Sequence, residues 1–216
     1  MRVNSRPAAK PDLKVEASTE IAIVGAPAEY ASRGALKLIG AIDHFGVVVE
    51  GRHALDVGAS TGGFTDVLLR RGAAHVVALD VGYGQIVERL RRDPRVTVID
   101  RTNIRYVDVG DLPYRPDLIA VDVSFISLEL VLPALAKLAA SPAEIVALVK
   151  PQFEVGKGKV GKGGIVRDDS LRNEVLAKVI EFAVKIGFEV TGTMESPIAG
   201  ATGNREFLAM FRYSDS

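Results

Sequence analysis

Two periodicities alternate along this chain and together outline its architecture. From Ser32 the apolar spacing is helical: Ala35, Leu38, Ile39, Ile42 and Phe45 share one face, Ser32 stands where it can cap, and Gly46 follows as a stop. Lys37 falls opposite that stripe, one turn beyond Arg33, where a lysine is either solvated or free to reach over a neighbouring turn. Short apolar runs at 54–57, 76–79, 96–99, 118–121 and 145–149 then read as strands, with helical stretches near 65–71, 86–92 and 130–138 between them. This βα rhythm predicts a parallel sheet covered on both faces. A longer helix spans 171–186, its stripe formed by Leu171, Val175, Leu176, Val179, Phe182, Ala183 and Ile186, and Gly187 ends it. Runs at 188–194 and 206–213 predict a closing antiparallel pair. Residues 1–25 read as short strands broken by Pro7, Pro11 and polar turns, 21–24 being the clearest, and 25–28 read as linker.

The first strand-to-helix junction carries the most chemistry. Leu55-Asp56-Val57-Gly58-Ala59-Ser60-Thr61-Gly62-Gly63-Phe64 ends an apolar run in an acid, turns through three glycines and opens a helix. Glycine permits close backbone approach to a ligand, and the first N–H groups of the helix remain unpaired. Asp80 ends the next strand, where a carboxylate can accept both ribose hydroxyls of a nucleoside cofactor. A dinucleotide fingerprint needs G-x-G-x-x-G, but Ser60 stands where its second glycine belongs, so NAD is disfavoured. The order D-x-G-x-x-x-G-G suits S-adenosylmethionine, which offers a ribose and an amino acid without a pyrophosphate. The plain alternative is a tight turn with no ligand.

Composition narrows the classes. The chain has 216 residues, 48% of them hydrophobic, enough for one good-sized domain with a core. No cysteine is present, which excludes disulfides and thiolate metal sites and suits the cytoplasm; His44, His53 and His75 lie in unrelated segments, so no metal is expected. Apolar runs fall short of a membrane span, and residues 1–20 lack a signal-peptide core. The 27 basic and 27 acidic residues cancel, so any nucleic-acid surface has to be local.

Charges also leave the later strands. Asp122 ends one in Val121-Asp122-Val123-Ser124-Phe125-Ile126-Ser127-Leu128, and Lys150 ends another in Leu148-Val149-Lys150-Pro151-Gln152-Phe153-Glu154. Burying such groups alone is expensive, so a functional role explains the two together better than chance strand exits. Phe125 reads as a lid over this edge or as simple packing. The loop Gly156-Lys157-Gly158-Lys159-Val160-Gly161-Lys162-Gly163-Gly164 nearly matches a phosphate-binding P-loop, yet Gly163 replaces the hydroxyl that would hold magnesium. Its lysines, with Arg167, suit RNA phosphates or a solvated loop equally.

These blocks, together with Ser32-Arg33-Gly34-Ala35-Leu36-Lys37-Leu38, Asp80-Val81-Gly82-Tyr83-Gly84-Gln85 and Gly203-Asn204-Arg205-Glu206-Phe207-Leu208, give a sequence that resembles the TlyA family, within the larger FtsJ-like group. The resemblance covers residues 1–213. It implies a Rossmann-like class I methyltransferase: an α/β fold with a mostly parallel seven-stranded sheet, helices on both faces and a C-terminal antiparallel strand pair. It implies S-adenosylmethionine as cofactor and ribosomal RNA or ribosomal subunits as partner, with methylation of the ribose 2′-hydroxyl of cytidine. A Lys-Asp-Lys-Glu site is implied at Lys37, Asp122, Lys150 and Glu206. Gly58, Ala59, Ser60, Gly62, Gly63, Phe64, Asp80, Val81, Asn103 and Asp122 are implied around the cofactor. The RNA-facing candidates are Arg33, Lys157, Lys159, Lys162 and Arg167.

The same resemblance divides the chain into 1–25, similar to the last strands of an S4 RNA-binding domain, a linker at 26–31, and a methyltransferase domain at 32–216. The helices with which an S4 domain would grip RNA have no counterpart here; either the sequence is a fragment or its assigned start lies too far downstream. Such a chain is expected to bind S-adenosylmethionine yet methylate ribosomal RNA weakly. Two other classes compete with the enzyme: a non-catalytic RNA-binding module, and a membrane-acting hemolysin, for which no exposed amphipathic or spanning segment is found. Nucleotide, ribosomal subunit, oligomeric state and the identity of the basic lysine are not encoded in these motifs.

Overall fold

Parallel strands buried on both faces need unbroken apolar runs, and the runs of this chain become the strands of one sheet. In the computed structural model, which describes residues 2–3, 6–7, 14–16, 18–19, 21–22, 29–156, 160–161 and 163–215, three two-residue strands come first: β1 (Arg2–Val3), β2 (Arg6–Pro7) and β3 (Ile21–Ala22). They form a separate antiparallel sheet in the order β2-β1-β3. Residues 23–28, with the rest of the expected strand 21–24 and the linker at 25–28, lie outside the described residues.

The main sheet follows α1 (Ala35–Phe45) and is built from β4 (His53–Val57), β5 (His75–Leu79), β6 (Val96–Ile99), β7 (Leu118–Val121), β8 (Ala143–Val149), β9 (Glu189–Glu195) and β10 (Phe207–Tyr213). Its strand order is β6-β5-β4-β7-β8-β10-β9. The first five strands are parallel, and β10 runs antiparallel to both β8 and β9. Helices α2 (Gly63–Arg70), α3 (Glu88–Arg91), α4 (Leu128–Leu138), α5 (Pro151–Glu154) and α6 (Asp169–Lys185) connect them.

Side chains alternate across the strands and fill two cores. Leu55, Val57, Ile119 and Val121 pack with Leu132 and Leu135 of α4 and Val175 and Val179 of α6. Ala54, Leu118, Ala120 and Leu148 face Leu38 and Ile42 of α1, Phe64 and Leu68 of α2 and Leu90 of α3. Helix α6 is capped by Asp168, whose carboxylate accepts from the N–H groups of Ser170 and Leu171.

Several local expectations need correction. Ser32 does not cap α1 with its side chain; Gly34 precedes the helix in helical conformation, and the Ser32 Oγ instead fills the space where a Cβ on Gly63 would sit. Of the two readings open for Lys37, the solvated one is set aside: it is buried, because the segment before β10 covers that side of α1, with Pro197 packed against Gly40. The helix expected at 86–92 contracts to Glu88–Arg91. Val87 is extended, and Asp93 precedes Pro94, which disfavours further helix.

Candidate active site

The chain crosses the sheet from β6 back to β7, so β4 has neighbours reached in opposite directions. Ligands of open α/β sheets bind beyond the carboxyl ends of strands at such a switch point. A cavity of about 740 Å³ opens there, lined among others by Gly58, Ser60, Asp80, Val81, Asn103 and Asp122.

Gly58 adopts φ +86, and a Cβ at this position would collide with the Asp122 carbonyl. Only glycine lets the first turn approach the end of β7 so closely. Asp80 is held by backbone groups: Oδ2 accepts from the Ser60 N–H at 2.8 Å and Oδ1 from the Gly82 N–H at 2.7 Å. That fixes the carboxylate at the cavity wall with lone pairs left for a diol. Ser60 itself takes a left-handed φ of +48, the conformation that aims its N–H at Asp80. Asn103 lines the cavity and also accepts from the Arg105 N–H at 3.1 Å, so it is a turn cap as well. Nucleoside-sized ligands fit cavities of roughly 300–1,000 Å³, and an immobilised acid beside a glycine turn suits the ribose of S-adenosylmethionine.

Four residues expected near the cofactor lie off the cavity. Ala59, Gly62, Gly63 and Phe64 are buried and do not line it. Packing accounts for them: a Cβ on Gly62 would strike Leu90, one on Gly63 would strike Ser32, and Phe64 belongs to the core.

Two amine–carboxylate pairs follow, and of their four residues Asp122 lines the cavity while Lys37, Lys150 and Glu206 do not. Lys37 Nζ donates to Glu206 Oε2 at 2.6 Å, with side chains 9% and 2% exposed. Lys150 Nζ lies 2.6 Å from Asp122 Oδ1 and donates to Ser124 Oγ at 2.9 Å. Gln152 Nε2 donates to the other Glu206 oxygen at 3.2 Å, so the lysine pairs arise from α1, the end of β7, the end of β8 and the residue ahead of β10. Glu206 was expected inside the last strand and stands just before it. Deeper under the turn, Asp56 accepts from the Thr65 N–H and Oγ1 at 2.8 and 2.6 Å, while its Oδ1 is buried without a partner. Burial pushes its pKa up to about 7, with the Asp122 and Asp80 charges adding to the rise and the Thr65 hydrogen bonds opposing it.

A family model for the FtsJ-like methyltransferase matches residues 30–213. The chain belongs to the FtsJ-like methyltransferase family. It is 50% identical over 213 residues to a Mycobacterium tuberculosis protein named 16S/23S rRNA (cytidine-2'-O)-methyltransferase TlyA, covering 98% of this chain and 80% of the relative. It is 45% identical over 186 residues to Hemolysin A of Brachyspira hyodysenteriae, covering 85% and 77%. A solved structure from Streptococcus thermophilus, provisionally described as a hemolysin, superposes with a TM-score of 0.87 at 47% identity, over 99% of this chain and 78% of that one.

Outside the cradle of this FtsJ-like domain, Arg33 is exposed and donates to the Ala199 carbonyl at 3.4 Å, and Arg167 is exposed. Lys157, Lys159 and Lys162 lie outside the described residues. Among the described residues no group of three or more His, Cys, Asp or Glu side chains could hold a metal ion, and no helix is long and apolar enough to cross a membrane. Sequence reasoning did not single out Ser124, Gln152 or Glu154 as site residues. Gln152 and Glu154 carry a signal in hindsight, since they sit in the short run after Lys150; Ser124 carries none beyond its nearness to Asp122.

Proposed function

We propose that this FtsJ-like domain transfers a methyl group from S-adenosylmethionine to the ribose 2′-hydroxyl of a cytidine in ribosomal RNA. The observation that carries the reading is the pair of 2.6 Å lysine–carboxylate contacts, one of them made by Asp122, which lines the same cavity as Gly58 and Asp80. The named activity of the M. tuberculosis relative supplies the substrate class. Bound S-adenosylmethionine supplies a methyl group on a positively charged sulfur. Asp80 takes the ribose hydroxyls of the cofactor, and Gly58, Ser60, Val81 and Asn103 shape the rest of its site.

A ribose hydroxyl is a weak nucleophile that has to lose its proton as it attacks. Lys150, once its ammonium has given up a proton to solvent, orients that hydroxyl and receives the ribose proton at Nζ, while Lys37, kept as the ammonium, favours negative charge developing on the oxygen. Asp122 and Glu206 hold the two amines, and fixed geometry supplies much of the rate. Arg33 and Arg167, with the lysines of the 157–162 segment, contact phosphates of the RNA. Residues 1–25 are read as the closing strands of an S4-like unit, which their separate small sheet supports, with 26–31 as linker and 32–216 as the transferase domain. The reaction belongs to the cytoplasm, where ribosomal RNA is found.

The test incubates ribosomal subunits from an unmethylated strain with the protein and methyl-labelled S-adenosylmethionine, then maps the label. Label on a cytidine 2′-oxygen supports the reading; label on a base, or none, defeats it. Lys150→Ala should abolish transfer while retaining cofactor binding, which separates an enzyme from a binding module.

A further inference from the structure

The loop between β7 and α4 is held at both ends by residues that follow β8. At its start, Lys150 Nζ meets Asp122 Oδ1 and Ser124 Oγ. At its end, the Ser127 hydroxyl donates to Glu154 Oε2 at 2.6 Å and the Leu128 N–H donates to Glu154 Oε1 at 2.8 Å. Ser127 Oγ also accepts from the Glu129 N–H at 3.1 Å, capping α4. Between the two anchors Phe125 sits at φ +63 and is 90% exposed, its ring 4.9 Å from that of Phe153. A bulky side chain at positive φ is strained and persists only where its surroundings over-determine it.

We propose that Glu154 is a positioning residue for methyl transfer: by fixing Ser127 and Leu128 it holds the 122–127 loop where Ser124 meets the Lys150 amine and Phe125 keeps its left-handed place at the cavity rim. The inference rests on the methyltransferase reading of the site. Glu154 does not line the cavity, so it acts through the loop. Helix α4 is a firm anchor, because Leu128, Val131 and Leu132 are core residues. A carboxylate matches the task, since each oxygen meets one donor. Glutamine would preserve both contacts, its Oε1 accepting from Leu128 and its Nε2 donating to Ser127 Oγ. Alanine would leave the Leu128 N–H, one of the groups with no partner inside the helix, without its acceptor.

The experiment compares the wild type with Glu154→Ala and Glu154→Gln in three measurements: cofactor affinity, single-turnover transfer to ribosomal RNA, and amide hydrogen exchange of 124–129 without RNA. Glu154→Ala should slow transfer by about tenfold to a hundredfold, leave the cofactor Kd within about twofold, and speed exchange at Leu128 and Glu129. Glu154→Gln should restore most of the rate and the protection. Should Glu154→Ala fold poorly, Ser127→Ala removes one of the two Glu154 contacts together with the cap on the Glu129 N–H, and should show the same split between rate and affinity. Unchanged exchange in Glu154→Ala overturns the proposal, as does a wild-type rate or a loss of cofactor affinity equal to the loss of rate. A wild type that moves no methyl group defeats the functional reading instead, and the exchange measurement then decides the loop anchor alone.

Discussion

Replacing Asp56 by Asn should change how stability depends on pH, because this carboxyl is buried completely beneath the cofactor turn. Its pKa rises from an ordinary 3.8 to about 7, burial being the largest cause. A folded-state value above the unfolded one means that the group's stabilisation is complete below 3.8 and is lost as the pH climbs through about 7. At ~1.4 kcal/mol per pH unit the whole interval is worth ~4 kcal/mol, and the part between pH 5 and 7 ~2.5 kcal/mol. Asparagine keeps an acceptor for Thr65 and cannot ionise, so its own cost is the same at every pH. Urea unfolding of both proteins at pH 5, 6, 7 and 8 isolates the effect, since every other titration cancels in the difference between them. That difference should move toward the variant by ~2–3 kcal/mol as the pH rises from 5 to above 7. A flat difference would refute the assignment of a neutral Asp56 under the turn.

Three further outcomes are expected. Gly58→Ala should lose at least ~1–2 kcal/mol of stability in urea unfolding, because the residue sits at φ +86 and a Cβ meets the Asp122 carbonyl, and cofactor binding measured by calorimetry should fall with it. Lys37→Met should cost ~3 kcal/mol by stranding the buried Glu206 carboxylate, and adding Glu206→Gln should recover much of that stability while transfer stays abolished in both. Arg33→Ala with Arg167→Ala should weaken RNA binding and reduce the slope of log affinity against log salt by ~1.5, read from filter-binding titrations at several salt concentrations.

The sheet was legible because strands buried on both faces carry runs such as Leu118–Val121 with no polar interruption. Strand ends were legible for the same reason: Asp80, Asp122 and Lys150 break those runs at the edge where ligands bind. What periodicity missed came from contacts between distant segments. The spacing around Lys37 marks a second, polar side of α1, and nothing local reveals that residues 196–206 close over it and bring Glu206 to the amine. Gly62 and Gly63 look like a ligand cradle in one dimension, yet Leu90, Ile86 and Ser32 occupy the space their side chains would need. Ser124 and Glu154 gain meaning only once the loops after β7 and β8 lie side by side.

The antiparallel β10 explains how a carboxylate from the far end of the chain reaches this edge. Phe207 pairs with Val149 and Tyr213 with Ala143, so β10 begins where β8 finishes, and Glu206, the residue before it, stands next to Lys150. A parallel strand in the same slot would begin at the opposite edge, about 20 Å away for seven residues at ~3.3 Å each. Reversal of one strand therefore does for Glu206 what the switch point does for Asp80 and Asp122. The two lysines are nearly buried, and paired charges in such places seldom stabilise a fold relative to apolar residues of similar size. Four elements converge on a set of charges that fold stability does not require, which is the arrangement expected if these residues serve the methyl transfer proposed above.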